Sequence, residues 1–359
     1  MDMFRKQLIF FMFIVLMLMF CTSTGAYELT SRSFGMGGAY TGIGEGLEAV
    51  LYNPAAIANG GFVGANLTVG IEFENFSELS ELRNIEGDFT NQENFYQDIP
   101  DNASINSQTF FGARLDSFAL SYNRRYKITA QSNSNQAEVK LFNRNEGRLS
   151  YAGRIIDPPF DLGALSYGIS LNLIDIDSTK YQKENNSDTY TKDRLKGSGY
   201  GLDIAIMAKV TDMLQLGYFA SDLLVSDIAL RGQESEYQYE NNYWQLESQR
   251  QTSSKYSTTS TSRLGAALQV PVLSLKLAAD IDNLFAQGGK GQVVHLGLEK
   301  NILFNGFSIR AGKINAEDLD YTTVGLGLNL TGFSLDTAYG FDGGPAENQA
   351  FMLAINADF

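Results

Sequence analysis

Cysteine and histidine are almost absent from this 359-residue sequence, which has one of each. Cys21 lies in the first 26 residues, so the rest of the chain has no thiol for a disulfide, a cysteine metal site or a cysteine nucleophile. His295 cannot by itself make a histidine metal site, and no G-x-S-x-G pattern marks a serine nucleophile for it to activate. We therefore expect a protein that is not an enzyme and has no catalytic residue, no cofactor and no metal.

Positive charge and long apolar runs are also scarce. The sequence has 27 Lys and Arg against 41 Asp and Glu, a net charge of −14. Nucleic-acid phosphates require Lys and Arg, so this balance argues against a nucleic-acid partner. Beyond the N-terminus no apolar run approaches the roughly 18 to 20 residues of a membrane-spanning helix, which excludes helical spans there.

The first 26 residues have the pattern of a secretory signal peptide. Arg5 and Lys6 precede an apolar run over 8–20, and small residues follow, with Thr24 and Ala26 before the expected cleavage site. The run is shorter than a membrane anchor needs. A lipoprotein signal using Cys21 is the other interpretation, although Phe20 is bulky where such a signal has a small residue.

The last nine residues alternate between large apolar and small or polar side chains. This period of two is typical of a strand with one apolar and one polar face. Phe351, Leu353, Ile355, Ala357 and Phe359 share the apolar face. An outer-membrane barrel ends in this way, because its last strand closes onto its first, and the pattern predicts that fold.

The same alternation recurs at 163–175, 271–282, 293–299, 307–312, 321–330 and 333–341. A soluble β-sandwich would place the apolar face in a core, and alternation alone does not exclude it. Charge on the other parity, together with the signal peptide and the C-terminal strand, favours a barrel. Charged side chains occur on the inner parity: Lys276, Asp280, Glu299, Arg310 and Asp336. We therefore predict an all-β, antiparallel transmembrane β-barrel of about 14 strands with a wet interior. His295 shares the inner parity, so His295, Glu299 and Arg310 are candidate polar residues of the lumen.

Connections of alternating length support a barrel with short periplasmic turns and long outer loops. Short turns are predicted at 157–161, 301–306 and 330–332, and long polar loops at 77–106, 181–197 and 232–262. The third, with Tyr237, Tyr239, Tyr243 and Trp244, is either a lid or a solvated loop. A closed barrel has no free edge, so we expect a monomer.

A glycine-dense segment at 33–58 interrupts the strand rhythm. Its Gly42-x-Gly44-x-Gly46 follows no strand and precedes no lysine, which excludes a phosphate-binding loop. We divide the chain into a signal peptide at 1–26, an N-terminal hatch or plug at 27–60 and the barrel at 61–359.

The run Gly37-Gly38-Ala39, followed by Tyr52-Asn53-Pro54-Ala55, resembles the N-terminal signature of the FadL/TodX long-chain fatty-acid transporter family and its PorV-like relatives. The resemblance is good over 31–60 and diffuse over 291–359. It implies a 14-stranded barrel in the cell outer membrane, with the N-terminal segment folded inside as a hatch and a lateral gap through which the substrate leaves.

On this resemblance Asn53, Pro54 and Ala55 are hatch or gating residues, and Gly37, Gly38 and Ala39 let the hatch pack. The implied function is passive uptake of hydrophobic compounds such as long-chain fatty acids, which would be the partners of the barrel together with outer-membrane lipid. The alternative is a PorV-like structural or secretion-accessory barrel whose long loops bind an exported protein. No pocket residue can be assigned from the sequence.

Overall fold

The structure, a computed structural model, describes residues 30–75, 102–133, 135–156, 163–184, 187–225, 227–241, 243–257, 260–283, 291–316, 319–342 and 348–359. The predicted signal peptide at 1–26, most of the first predicted loop and the 157–161 turn lie outside these residues and stay predictions. In the N-terminal segment, helix α1 spans Ser31–Gly35, and two 3-10 helices span Leu47–Leu51 and Pro54–Asn59. A third 3-10 helix, Pro271–Leu273, lies between two strands.

The remaining elements are strands. Their bounds are β1 Val63–Glu74, β2 Asn102–Leu115, β3 Phe118–Ser132, β4 Gln136–Ile156, β5 Ala164–Glu184, β6 Thr189–Lys209, β7 Leu214–Val225, β8 Ile228–Glu240, β9 Tyr243–Tyr256, β10 Thr261–Val270, β11 Leu275–Asp282, β12 Val293–Ile302, β13 Phe307–Ala316, β14 Leu319–Leu330, β15 Phe333–Asp342 and β16 Asn348–Asp358.

Fourteen of the described strands form a closed antiparallel ring. β1 to β7 follow one another, β7 pairs with β10, and β10 to β16 complete the circuit back to β1. β8 and β9 form an extra hairpin, because β6 pairs with β7 through its 201–209 half and with β8 through its 189–196 half. The prediction of an antiparallel barrel of about 14 strands is confirmed.

Alternation along each strand separates an outward apolar face from an inward polar face. On β1, Leu67 and Val69 are exposed on the outside, whereas Asn66 and Thr68 are buried inside. The same holds on the last strand, where Phe351 and Ile355 are exposed and the alternate residues are buried. An apolar outer surface of this kind is what a bilayer requires of a barrel.

The C-terminal strand closes the ring as its pattern predicted. β16 pairs with β15 on one side and with β1 on the other, with Asp358 opposite Gly64. At the same end Arg114 forms an ion pair with Asp358, and the rings of Phe333 and Phe359 meet edge to face at 5.4 Å. The last residues therefore hold the closing seam of the barrel.

Tight turns gather at the end of the barrel that carries the C-terminus. The turn at 303–306 follows β12, and Thr331 and Gly332 link β14 to β15, so these two short connections are confirmed. Gly332 has φ 79°, a value that favours glycine, and a β-carbon there would collide with the Phe359 ring. We call this the turn end and the opposite end the outer end. Among the described residues, no helix is long and apolar enough to cross a membrane.

Two of the three long-loop predictions, at 181–197 and 232–262, are wrong. Most of 181–197 belongs to β5 and β6, which pair almost to their tips, and 232–256 lies in the β8–β9 hairpin. These strands extend past the ring on the outer side, where neither face needs to be apolar, so their polar composition resembles that of a loop. The predicted lid residues are ordered here: Trp244 packs on Tyr190 and Tyr239, with ring centroids 4.7 and 5.1 Å away.

The outward face provides a test of membrane insertion. Leu326 on β14 and Leu246 on the hairpin are similarly exposed, at 61% and 53%, but only Leu326 belongs to the ring. Leu326→Arg should destabilise the barrel in lipid vesicles by about 2–4 kcal/mol, because arginine is costly in the hydrocarbon region. Urea unfolding in vesicles measures this cost. Leu246→Arg is the matched control and should have little effect. An equal loss of stability in the two variants would contradict the assignment of Leu326 to the membrane-facing surface.

Candidate functional site

Residues 30–60, which we call the luminal segment, lie inside the ring. α1 contacts the inner faces of β13 to β16 and β1, while the 3-10 helix Pro54–Asn59 contacts β4, β5 and β6 on the opposite side. The 3-10 helix Leu47–Leu51 lies against β1 and β2. The segment therefore crosses the lumen from wall to wall.

The luminal segment has a small apolar core of its own. Tyr40 and Tyr52 are fully buried and meet edge to face, with ring centroids 5.3 Å apart. The Tyr52 hydroxyl accepts a hydrogen bond from the Thr30 backbone N–H at 2.9 Å and lies against the Ser33 hydroxyl. Buried apolar residues of the segment also pack on inward alanines of the wall. Burial thus orders a stretch that has little regular secondary structure.

Gly37 and Gly38 lie against the wall at β12 to β14, and Ala39, which follows them, is fully buried in the apolar core of the segment. Gly37 and Gly38 have φ 62° and 80°, and a β-carbon on either would come within 2.6 Å of wall atoms. The Gly37 N–H donates to the Thr323 hydroxyl at 3.1 Å, and its carbonyl lies 2.7 Å from His295 Nδ1. Only glycine satisfies both the backbone conformation and the close approach here.

Asn53, Pro54 and Ala55 fix the other side of the segment. The Asn53 side-chain oxygen accepts from the Ala55 N–H at 3.1 Å, and its amide donates to the carbonyls of Thr41 and Ile206 at 3.0 and 3.2 Å. One side chain therefore caps the 3-10 helix and joins two parts of the segment to β6. The Pro54–Ala55 backbone lies directly on Gly168 of β5, where any β-carbon would collide with it.

The predicted lumen residues Glu299 and Arg310 are in direct contact. Arg310 Nε donates to Glu299 at 2.6 Å and a terminal nitrogen donates to Asp336 at 2.6 Å. Arg32 of α1 completes the group, with two hydrogen bonds to Glu299 at 2.9 and 2.7 Å and one to Glu45 at 2.9 Å. This network ties the segment to the wall through buried charges.

His295, the third predicted lumen residue, belongs to a neighbouring group. It is fully buried, with Nδ1 at the Gly37 carbonyl and Nε2 3.3 Å from Asp282, which also pairs with Arg263. Asp280, which lies on β11 with Asp282, accepts hydrogen bonds from the backbone N–H groups of Tyr40 and Thr41 at 2.9 and 2.8 Å. These contacts hold the backbone of the segment to β11 and β12.

Sequence reasoning missed the arginines that connect the segment to the wall. Arg32 is the single cation near a glycine-dense stretch, and this isolation was the signal in the sequence that could have pointed to it as a contact with the wall. On β4, Arg148 donates to the Val50 carbonyl at 3.1 Å and to Glu146 at 2.6 Å, and Arg144 donates to Glu146 at 2.8 Å. The alternating Arg144-x-Glu146-x-Arg148 pattern marks an inward charged ladder that could have been recognised.

A cavity of about 300 Å³ lies on the outer side of α1; we call it the outer cavity. Its apolar lining includes Phe34, Ile71, Ile314, Tyr321 and Met352, and its polar lining includes Glu72, Glu74, Asn106, Gln108, Arg125 and Lys127. Glu74 ends β1, so the cavity opens towards the outer end. Phe34 belongs to α1, which makes the luminal segment part of the cavity wall.

The wall around this site is paired throughout, with two irregular points. Each pair of adjacent ring strands is hydrogen-bonded among the described residues, and the register shifts between Arg154 and Ile156 of β4 and between Leu202 and Ile204 of β6. The lateral gap that the resemblance implies stays a prediction. Within the described residues no group of three or more His, Cys, Asp and Glu side chains could hold a metal ion.

No protein-family model matches the sequence, and no curated protein matches it. Solved structures do match. The toluene transporter TbuX from Ralstonia pickettii is 14% identical, with 92% of this chain and 98% of that chain covered at a TM-score of 0.62. A FadL homologue from Pseudomonas aeruginosa is 14% identical, with 95% and 99% covered at 0.58. The CymD monoaromatic hydrocarbon channel is 12% identical, with 94% and 99% covered at 0.59.

The fold is that of the FadL- and TodX-type channels. The resemblance seen at Gly37–Ala39 and Tyr52–Ala55 is confirmed at the level of the fold, because the structural similarity extends over nearly the full length of each neighbour. At 12 to 14% identity this similarity establishes a common architecture and does not show which compounds are bound. The named neighbours are transport channels.

The Arg32 network can be tested by substitution. Arg32→Gln leaves Glu299 and Glu45 with one cation fewer, although Arg310 and Lys276 still pair with them, so the cost should lie near the lower end, about 3 kcal/mol, of that for breaking a buried ion pair. If that cost falls on the docking of the segment, amide hydrogen exchange over 33–55 should accelerate by roughly a hundredfold. Arg124→Gln, an exposed site on β3, is the control. Equal protection in both variants would show that Arg32 does not hold the segment.

Glu48 predicts a pH dependence of the same docking. It belongs to the luminal segment and not to a membrane-spanning strand; burial, and next the Asp336 charge, raise its pKa to about 7, above an ordinary value of 4.5. The folded state therefore favours the protonated carboxyl. The contribution of the protonated Glu48 carboxyl to the docking of the segment is fully present below pH 4.5 and is lost as pH rises through 7.

Hydrogen exchange over 33–55 measures this effect and should become faster between pH 5 and 8 after correction for the intrinsic rate. Glu48→Gln, which keeps a neutral side chain at every pH, should flatten the dependence. The same pH dependence in wild type and Glu48→Gln would mean that another group is responsible.

Proposed function

We propose that this protein is an outer-membrane channel for the passive uptake of hydrophobic compounds, with the luminal segment as its hatch. The observation that carries the proposal is the position of the segment: it crosses the lumen from α1 against β14 to the 3-10 helix against β5, below a cavity open to the outer end. A compound that enters the cavity meets Phe34 of the segment before it can go further.

The bonding of the segment supports a movable hatch. Side-chain hydrogen bonds and ion pairs hold it, such as Arg32 with Glu299 and Asn53 with the Ile206 carbonyl, and none of its residues belongs to a strand of the ring. It can therefore shift while the ladders of the wall stay intact. Because Phe34 lines the cavity and Arg32 lies two residues away on α1, a ligand pressing on Phe34 would strain the Arg32 contacts.

The class of cargo follows from the fold and the neighbours. TbuX is named a toluene transporter and CymD a monoaromatic hydrocarbon channel, and a FadL homologue shares the fold. Hydrophobic compounds are the common class, and long-chain fatty acids, expected from the resemblance, are one member of it. Location in the outer membrane, contact with its lipid and a monomeric state belong to the same proposal.

The second candidate is the secretion-accessory barrel. The β8–β9 hairpin favours it, because the hairpin extends past the ring, and β9 pairs only with β8 among the described strands. That role predicts co-purification of an exported protein that is lost when 232–256 is deleted. The outer cavity, beside a segment that crosses the lumen, is the observation that favours transport.

A reversible cross-link tests the hatch. Ser31 of the segment and Met352 of β16 are neighbours, since the Ser31 hydroxyl donates to the Met352 carbonyl at 3.4 Å. In the double variant Ser31→Cys/Met352→Cys, a short bifunctional methanethiosulfonate should abolish the uptake of labelled toluene and oleate that exceeds uptake by protein-free liposomes, and reduction should restore it. The two single variants report any effect of the substitutions alone.

A cross-link within the wall is the matched control. Leu277 and Leu298 face each other on β11 and β12 on the outer surface, so the same reagent on Leu277→Cys/Leu298→Cys should leave uptake unchanged. Deletion of 33–55, with insertion verified separately, should raise or abolish uptake and not leave it unaltered. Equal uptake by the cross-linked and reduced Ser31→Cys/Met352→Cys protein would exclude the hatch.

A further inference from the structure

A shallow apolar groove crosses the outward face of the wall, from β7 over β10, β11 and β12 to β13; we call it the outward groove. Its volume is about 620 Å³. Alanines form its floor, at Ala266, Ala279 and Ala311, and leucines stand beside them, among them Leu277 and Leu298. Both leucines are 38% exposed and belong to the face that the barrel turns away from its lumen. The groove is therefore open to whatever surrounds the wall.

The alanines of the floor are not required by the packing inside the barrel. On the inner face of the same strands, the backbone of the luminal segment rests on Gly312, where a β-carbon would lie 2.1 Å from the Gly37 nitrogen. That contact explains small residues on the inner parity only. Other outward positions of these strands carry large apolar residues, such as Leu264, Ile281 and Ile309. The depression is thus a feature of the outward face itself, and dispersion contacts are lost there unless an apolar group fills it.

The outward groove is elongated, and its charged end points towards the outer end of the barrel. It spans five neighbouring strands, which at about 4.8 Å between strands gives a length of roughly 19 Å. Ala266 lies four residues from Val270, where β10 reaches the turn end, whereas Lys313 lies six residues from Phe307, where β13 does. Lys313 is the charged residue of the lining, and it opposes Leu296 across the strands. A lipid has this shape, with an apolar chain and a charged head at one end.

Two opposite charges stand together at the Lys313 end of the outward groove. The Lys313 ammonium lies 2.6 Å from the Asp320 carboxylate and donates a hydrogen bond to the Thr322 hydroxyl at 3.3 Å. The two charged side chains are 40% and 56% exposed, so both can bind a further ion. A head group with one negative and one positive charge complements the pair crosswise, phosphate to Lys313 and ammonium to Asp320. A purely anionic head would meet the Asp320 carboxylate as well as Lys313.

We propose that the outward groove holds one acyl chain of a phospholipid whose head is phosphoethanolamine, with the phosphate at Lys313 and the ammonium at Asp320. The site presupposes the membrane location of the proposed function, but it concerns a lipid that stays on the wall and not a compound that crosses. Choline in place of ethanolamine leaves no N–H to donate to Asp320, and glycerol in place of ethanolamine leaves no positive charge. The groove supplies contacts for the chain, and the Lys313–Asp320 pair sets the preference for the head.

Native mass spectrometry of the full barrel tests this preference. The barrel is released from nanodiscs that contain equal amounts of dioleoyl phosphatidylethanolamine, phosphatidylcholine and phosphatidylglycerol, so the chains are identical and only the heads differ. We expect barrels to retain a single lipid, and to retain phosphatidylethanolamine roughly fivefold or more over the other two, because its head alone pairs with both charges. Equal retention of the three lipids, or a preference for either of the others, would overturn the proposal.

Neutral substitutions identify the groups that read the head. Lys313→Gln/Asp320→Asn removes both charges and should bring the three lipids to equal retention. Lys255→Gln/Asp227→Asn is the matched control, since Lys255 and Asp227 lie 2.7 Å apart outside the groove, and it should keep the wild-type preference. A preference that is unchanged in Lys313→Gln/Asp320→Asn would overturn the role of the pair.

Filling the floor of the groove tests the position of the chain. Ala279→Phe should reduce the fraction of barrels that retain a lipid by roughly fivefold, because the ring takes the place of the chain and its contacts. Ala113→Phe, at an exposed position of β2, is the control and should leave that fraction unchanged. Equal lipid retention in the two variants would mean that the chain does not lie in the groove.

A second copy of the chain is the other occupant that an apolar groove of this kind admits. If barrels leave the nanodiscs as dimers without lipid, and Ala279→Phe makes them monomers, the groove is a protein interface and the lipid site is wrong. Uptake of toluene and oleate is measured separately. Loss of the lipid preference therefore leaves the channel proposal standing, and loss of uptake leaves the lipid site standing.

Discussion

The closed hydrogen-bond ladder is the constraint on which the rest of the structure depends. Inside a bilayer no water is available to a backbone N–H or C=O, so a sheet can cross only if it has no edge. β16 meets this requirement by pairing with β1 along its length. Closure then fixes the alternation: Leu67, Val69 and their counterparts face outward, and the other parity faces a shared interior.

The interior created in this way carries charges that need partners. Glu299, Arg310 and Asp336 satisfy one another only in part, and further positive charge comes from Arg32 of the luminal segment and from Lys276 of the wall. Small wall residues admit the segment: its backbone lies directly on Gly168 and Gly312. Wall and segment are therefore complementary in charge and in shape, although no ladder joins them.

Local alternation allowed much of the fold to be predicted. The parity of Phe351 to Phe359 placed the closing strand, and the inner parity of His295, Glu299 and Arg310 placed them in the lumen, where Glu299 and Arg310 touch. The loop predictions at 181–197 and 232–262 failed because strands that leave the bilayer no longer need an apolar face. Composition there cannot distinguish a solvated strand from a loop.

The outer cavity could not be predicted, because it depends on register. Glu72 of β1, Tyr321 of β14 and Met352 of β16 reach the same height only through the stagger of the closed ring. The partner of Arg32 was hidden for the same reason, since Glu299 lies far away in the sequence. Roles for Asn53, Pro54 and Ala55 in gating stay a prediction: their contacts explain how the segment is held and not whether it moves.

Movement of the segment in response to a hydrophobic compound is the central claim, and thiol labelling tests it most directly. Cys21 is the only cysteine in the sequence, so Ser33→Cys introduces one buried thiol in the segment and Ser150→Cys one in the wall. Addition of toluene to the reconstituted barrel should speed maleimide labelling at position 33 and leave position 150 unchanged. An unchanged rate at position 33, under conditions in which toluene crosses the membrane, would contradict the account.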